Sequence, residues 1–413
     1  MSKTIQRENS LLLFDPRSSG FRANPYPAYH YLRTHHPIYY RRDRKDWILT
    51  RYADIHTVLN SSQFGRPEKK TIQPQSKAEV LLPHFLQLRQ DSQNLMRLWL
   101  LLLNPPDHTR IRRILQSAFT ASKIQALRSY IQASVDSLIE STLSTGEMDV
   151  VCDFAHPLTL DLNCKLLGIP PYSQFSQWTR GLSLITDMDV TPVAREQGLL
   201  AISGLVEHLR ALIVQVRCEP SSPDGLLRTL ADSADRGELS EDELLSNAIF
   251  MFATGHSTTE YLISNSVLAL LNHPAQLHRL RANPQLISSA IDEVLRYDSP
   301  AQSTSYIALS DVEINRQIVR RGERVHCILA AANRDPEQFS NPNEFDIGRK
   351  PNTHLSFGRG THACIGKHLA KMVSEIAVLA IVTKLPQINL KLKTLEWGEP
   401  FMTRGLKSLL VSF

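Results

Sequence analysis

Four groups of residues in this chain have types and spacings that can do chemistry. The most specific is Phe357-Gly358-Arg359-Gly360-Thr361-His362-Ala363-Cys364-Ile365-Gly366. Its single cysteine ends a glycine-punctuated loop directly before the apolar, helix-like run His368 to Leu379, so the spacing predicts a sulfur at a helix N-terminus. Unpaired N–H groups and the helix dipole both favour a thiolate there. Gly358 and Gly360 can take backbone angles closed to other residues and keep bulk away, so a large flat ligand can lie against the backbone. The expectation is a buried, metal-binding sulfur. A lone cysteine near a turn is more often an ordinary buried thiol.

The other three groups are weaker when read alone. In Asn104-Pro105-Pro106-Asp107-His108-Thr109-Arg110-Ile111-Arg112-Arg113, prolines and an acid mark a helix start, and His108 and Arg112, four apart, share a face. That face offers two donors to an anion, although a lone basic helix is usually a solvated face. In Ala253-Thr254-Gly255-His256-Ser257-Thr258-Thr259, a threonine pair within a helix is usually bonded to its own backbone. Glu293 and Arg296 stand three apart, a spacing that commonly marks a surface ion pair.

Together and in this order, the four groups resemble the cytochrome P450 family. The loop matches every fixed position of the family pattern Phe-Gly-x-Gly-x-His-x-Cys-x-Gly. The resemblance implies that Cys364 is the axial thiolate of haem b iron, His362 a partner of a haem propionate, and Phe357 and Gly358 packing residues beside the sulfur and haem. It makes His108 and Arg112 propionate ligands. It places Gly255 where oxygen needs room and makes Thr258 the hydroxyl that hydrogen-bonds dioxygen and helps deliver protons. Two positions depart from the family pattern. Ser257 stands where the family has an acid, and a serine hydroxyl can only pass a proton along through water. Glu260, two residues after Thr258, is a weak substitute. Tyr306 stands where an arginine usually meets a propionate, and a phenol brings no charge. Glu293 and Arg296 resemble the family's buried Glu-x-x-Arg pair. Glu344 occupies the place of its usual third member, and Arg349 is the nearest candidate for that role.

The whole chain is compatible with this. Its 413 residues, 42% hydrophobic and 21% charged, suit a globular enzyme with a sizeable core. A net charge of +5 gives no warrant for nucleic-acid binding. Met1 to Ser10 is polar and no apolar run is long enough to anchor the chain in a membrane, so the expected location is the cytoplasm. Five cysteines without a CxxC pair agree with a reducing compartment.

The expected fold is mainly α with a small β-rich subdomain: a single cytochrome P450 domain over residues 1–413, with the haem buried between a long central helix and the cysteine-loop helix. The β-rich part is expected at 35–60, 300–330 and 385–413, and the helical part at 85–298 and 364–384. Periodicity predicts a helix over Ala28–Arg33, a hairpin of Ile38–Tyr40 with Trp47–Thr50, helices over Leu127–Leu143, Leu158–Leu167, Gly198–Val216 and Ile287–Tyr297, and one long helix over Glu241–Leu270. Leu95–Leu103 can line an apolar pocket or form a plain core helix. The resemblance puts a substrate lid between about Phe175 and Ala201, within the limits of boundary reading. It also gives the turn Phe401–Leu406 a reach into the substrate pocket.

A thiolate ligand pushes electron density into the iron and favours O–O cleavage. The implied activity is a monooxygenase that inserts one oxygen atom from O2 into an apolar or amphipathic small organic substrate. Electrons come from NAD(P)H indirectly, through a separate ferredoxin or flavodoxin and its reductase, and Arg110, Arg113, Arg359, Lys367 and Lys371 offer a basic docking face. Ser257 keeps a peroxide-driven peroxygenase, or a haem-thiolate isomerase or dehydratase, in view. A haem-based sensor or ligand-binding protein is the reading from another class.

Overall fold

The structure, a computed structural model of the chain, describes residues 14–67, 83–185, 192–219, 224–391 and 394–413. Contacts divide the chain into two units. One holds the chain up to Gly65, Val135–Ala155 and Glu260–Phe413; the other holds Arg66–Ser134 and His156–Thr259.

The first unit carries the strands among the described residues: β1 Ile38–Arg41, β2 Asp46–Leu49, β3 Phe64–Gly65, β4 Glu147–Asp149, β5 Thr304–Ala308, β6 Val312–Ile314, β7 Gln317–Val319, β8 Arg324–Cys327, β9 Asn389–Leu390 and β10 Leu410–Ser412. The expected hairpin forms as β1 and β2, rich in the aromatic and β-branched residues that suit a pleated surface. It joins a five-stranded sheet in the order β1-β2-β8-β5-β3, with β2 and β8 parallel. Ile48, Leu49, Val325 and Cys327 are fully buried within it, and Ile55, Val58 and Leu59 of the helix Tyr52–Asn60 are buried with them.

Strand β4 lies in a span whose sequence reads as helical. Helix Arg128–Thr142 ends, Gly146 turns the chain at φ +68°, and Glu147–Asp149 pair with β10 at the other end of the sequence. Only a distant partner makes that segment a strand.

Helix Ile287–Tyr297 runs over the expected residues and buries Ala290, Ile291, Val294 and Leu295 on one face. Glu293 and Arg296 are also wholly buried. They meet as a two-pronged ion pair, Nε to Oε2 and Nη2 to Oε1, both at 2.8 Å. Arg349 adds its Nε to both carboxylate oxygens at 3.1 Å. Glu344 contributes its backbone carbonyl to Arg296 and Arg349, not its carboxylate, so the third side chain of the cluster is Arg349.

The second unit is helical. Glu241–Thr254 starts with a capping box: Ser240 Oγ accepts from Glu243 N, and Glu243 Oε2 accepts from Ser240 N. Within Leu95–Leu103 only Trp99, Leu100 and Leu103 are buried, Leu101 is exposed, and Asn247 takes Leu100 N at 3.0 Å while donating to Leu98 O at 3.0 Å. In the expected lid region, helices Phe175–Ile185 and Pro192–Cys218 lie very close, because a Cβ on Gly204 would fall 2.7 Å from the Trp178 ring. Residues 186–191 of that lid lie outside the described residues. Val193–Cys218 is long and apolar enough to cross a membrane by length and composition, and 44% of its most apolar 18-residue stretch is buried inside the protein.

Removing the carboxylate charge at Glu293 leaves two buried guanidinium groups without a counter-charge. We expect Glu293→Gln to lower the unfolding free energy by ~3–5 kcal/mol, read as a shift of the urea midpoint. A loss below about 1 kcal/mol contradicts a buried, charge-paired cluster.

Candidate functional site

In the first unit, the cysteine loop hangs from Asn333. That side chain takes Leu355 N at 2.7 Å and donates to Ser356 Oγ at 2.9 Å, while Ser356 Oγ donates to Leu295 O on the Glu293 helix. Gly358 and Gly360 then take φ +64° and +65°, a region that glycine enters without strain. At Gly360 a Cβ would lie 2.3 Å from Leu59 O. Gly360–His362 form a short 3-10 turn, and Cys364 N donates to Phe357 O at 2.8 Å, closing the loop. Gly366 caps the following helix, Lys367–Lys384, so Cys364 sits two residues before its N-cap.

Cys364 is exposed. Phe357, Gly358 and His362 are half-buried. Tyr306, on β5 opposite Val325, is buried, and its ring stands edge-on to that of His362 with 6.0 Å between centroids.

In the second unit, His108 and Arg112 project from helix Asp107–Gln116, His108 buried and Arg112 half-buried. A third basic residue that the sequence did not single out, Arg66, joins them. Arg66 is buried, its backbone held on both sides by the Asn104 side chain at 2.8 and 2.9 Å. Nothing in its local sequence marks it, because Arg66 and Asn104 are 38 residues apart. Burial first, then the Arg112 and Arg66 guanidiniums, pull His108 down to about 4, so at neutral pH it is an uncharged ring in a positive field. An anion is the partner this field favours.

Arg110 departs from the expected docking role. It donates to both oxygens of Glu243 at 3.1 and 2.6 Å, to Asp107 at 3.1 Å and to Glu238 O at 2.7 Å. It joins two helices of the second unit. Lys371 is likewise paired, with Asp292 at 2.7 Å.

The long helix expected over Glu241–Leu270 is two helices, Glu241–Thr254 and Ser257–Asn272, broken at Gly255-His256. The physical cause is Asn163, whose Nδ2 donates to Phe252 O at 2.9 Å and whose Oδ1 would lie 2.5 Å from a Cβ on Gly255. The His256 ring also bonds to the Phe252 backbone, so that carbonyl serves side chains. Ser257 and Thr258 are half-buried and occupy the first turn of the second helix. His256 is buried, with its ring 5.9 Å from that of His156, which in turn reaches Ser176 Oγ at 2.9 Å. Burial, then His156, lowers His256 to about 3. Glu260 is also buried.

Comparison with known proteins agrees with these motifs. The family model described as Cytochrome P450 matches residues 201–386. The biotin biosynthesis cytochrome P450 of Bacillus subtilis is 35% identical over 400 residues, covering 96% of this chain and 98% of its own length. The cytochrome P450 monooxygenase PikC of Streptomyces venezuelae is 33% identical, covering 94% of this chain and 91% of its own. Among solved structures, that of P450BioI with an acyl carrier protein bearing hexadec-9Z-enoic acid superposes with a TM-score of 0.87 at 35% identity, covering 96% of this chain and all of the other. The chain belongs to the cytochrome P450 family. It therefore has the cytochrome P450 fold and is an oxidoreductase of the monooxygenase class, and the family implies a haem cofactor. Within the first unit the residues present fit such a group: a thiol on a loop thinned by two glycines, with the His362 imidazole two positions before it.

Both depressed histidines make acid unfavourable. Below their ordinary value of 6.5 the unfolded chain takes up protons at His108 and His256 that the folded chain refuses until about 4 and 3. Stability therefore falls as pH drops from 6.5 toward those values. We expect His256→Gln to flatten the dependence of the urea midpoint on pH in that window. An unchanged slope contradicts the buried, neutral assignment of His256.

Proposed function

We propose that the protein inserts one oxygen atom from O2 into an apolar or amphipathic organic molecule, using electrons delivered by a separate ferredoxin or flavodoxin with its reductase. The observation that carries this reading is the glycine-turned loop that closes Cys364 N on Phe357 O and sets the thiol two residues before a helix N-cap. The acyl-carrier complex of the similar P450BioI supports a long aliphatic chain as the substrate class. Haem, when bound, supplies the oxygen activation. In this reading the two units together make one cytochrome P450 domain.

The residues of this chain then have distinct tasks. Cys364 would give a thiolate to the iron, favoured by the helix whose N-cap lies two residues later. Arg112, His108 and His362 hold the haem carboxylates, with Arg66 adding charge. Tyr306 supports His362 through its ring and can donate one hydrogen bond. The Thr258 hydroxyl, in the first turn of the helix after the break, would hold a proton for delivery, and Ser257 would relay protons without storing them.

A second reading follows from Ser257. Without a carboxylate at that position a peroxide-driven reaction loses little, because peroxide brings its own protons.

The test begins with the absorption spectrum of the reduced, carbon-monoxide-treated protein. Wild type shows the long-wavelength band of a thiolate-ligated haem, and Cys364→Ser and Cys364→His lose it. A wild-type band of an imidazole-ligated iron, or no haem at all, overturns the reading. Thr258→Ala is then expected to lower product formed with a reductase system by about 10²-fold, the range of a lost proton-transfer group, while turnover with peroxide changes little. Strong peroxide activity beside failure with several electron donors favours the second reading.

A further inference from the structure

Asp292 precedes Glu293 on the same helix but meets different partners. Its Oδ1 takes Lys371 Nζ at 2.7 Å and lies 3.5 Å from His354 Nε2. These two residues stand on either side of the cysteine loop, His354 ten residues before Cys364 and Lys371 seven after it. One carboxylate thus ties down both flanks of the segment that carries the sulfur. Burial pushes the Asp292 carboxyl up, but hydrogen bonds from His354 and Lys371 overcome this and lower it, so the group stays charged.

The imidazole continues the line toward Cys364. Its Nδ1 accepts Ser356 N–H at 3.3 Å, which leaves the ring proton on Nε2, facing Asp292. Its ring lies 5.9 Å from that of Phe357, and Phe357 O is the acceptor that closes the loop on Cys364 N. A carboxylate, an imidazole and a main-chain amide in sequence make a common support for a ligand residue, because each hydrogen bond fixes the orientation of the next group. The Glu293 cluster reaches the loop by a separate route, through Arg296 and Asn333, and its donors Arg296, Arg349, Asn352 and Asp346 N are not those of Asp292 and His354.

We propose that His354, held by Asp292 and Lys371, is a positioning residue for Cys364: it sets the start of the loop and so the direction in which the thiolate points. The proposal rests on Cys364 as the haem ligand.

The experiment uses the haem-loaded protein as wild type, His354→Phe, Asp292→Asn and Asp292→Glu. Val382→Ala, in the buried far part of the helix after the loop, serves as a remote destabilised control. Three quantities are measured: the share of the reduced carbon-monoxide complex that keeps the thiolate band, the rate of haem loss to an excess of a haem-scavenging apoprotein, and the urea midpoint. His354→Phe keeps the ring contact with Phe357 but loses both hydrogen bonds; Asp292→Asn keeps the shape and loses the charge. Both are expected to lose haem roughly tenfold faster, as outer-shell variants do, and to shift part of the complex to the neutral-thiol band. Asp292→Glu restores both readouts, and Val382→Ala keeps the band despite a lower urea midpoint. Should His354→Phe fail to fold, Asp292→Asn carries the test. A wild type with the thiolate band beside two variants within about twofold of it in haem loss, the band intact, overturns the positioning role and leaves the Cys364 assignment standing. A wild type without the band overturns both.

Discussion

A single buried negative charge, the Glu293 carboxylate, organises the β-rich unit. Taking a carboxylate out of water costs several kcal/mol, and only surrounding donors offset that cost. Glu293 has them on every side: Arg296 and Arg349 side chains, Asp346 N at 2.9 Å and Asn352 Nδ2 at 3.2 Å. Arg296 passes the constraint on by donating to Asn333 O at 3.1 Å and Pro342 O at 2.7 Å. Asn333 then suspends Leu355 and Ser356, where the cysteine loop begins. The start of the loop that carries Cys364 is therefore tied to a charge 71 positions earlier in the chain through three hydrogen-bonded links, not fixed by the loop alone.

The same logic of buried charge recurs at the sheet. Burial pushes the Asp46 carboxyl up, yet hydrogen bonds from His326 and Arg41 bring it to about 2, so it stays ionised within β2. Its contribution to stability is present above about 4, the ordinary carboxylate value, and is lost as pH falls through about 2. In the helical unit the balance has the opposite sign. Arg66 and Arg112 bring positive charge to a buried His108 ring that burial and those two guanidiniums keep neutral, a field that favours an anion. Chemistry is thus prepared on both units by groups whose charges are costly to bury.

Much of this was legible in the residues themselves. The glycines at 358 and 360 announce left-handed turns because other side chains avoid that backbone region, and the structure puts both there. The amphipathic run Ile287–Tyr297 predicts its helix to the residue, since a helix face needs only local periodicity. The cysteine loop was specific enough to place the chain in its family. Other features had no local signal. Leu95–Leu103 reads equally as pocket lining or core until Asn247, some 150 residues later, bonds its backbone. Arg110 looks like a free surface cation until Glu243 takes its guanidinium, and one long helix looks continuous until Asn163 claims a carbonyl of its ladder.

The sequence by itself determined the chemistry: a thiol at the start of a helix, a basic helical face, a hydroxyl beside a glycine, and the helices and hairpin whose periodicities are local. Tertiary structure alone decided which charges meet. It made Arg349 the third member of the Glu293 cluster, put Arg66 beside His108, and joined His354 to Lys371 through Asp292. The physical reason is range. Backbone preference and amphipathic pattern act over a few residues, whereas a hydrogen bond or a Coulomb interaction is blind to sequence separation and exists only once the chain has brought its partners together.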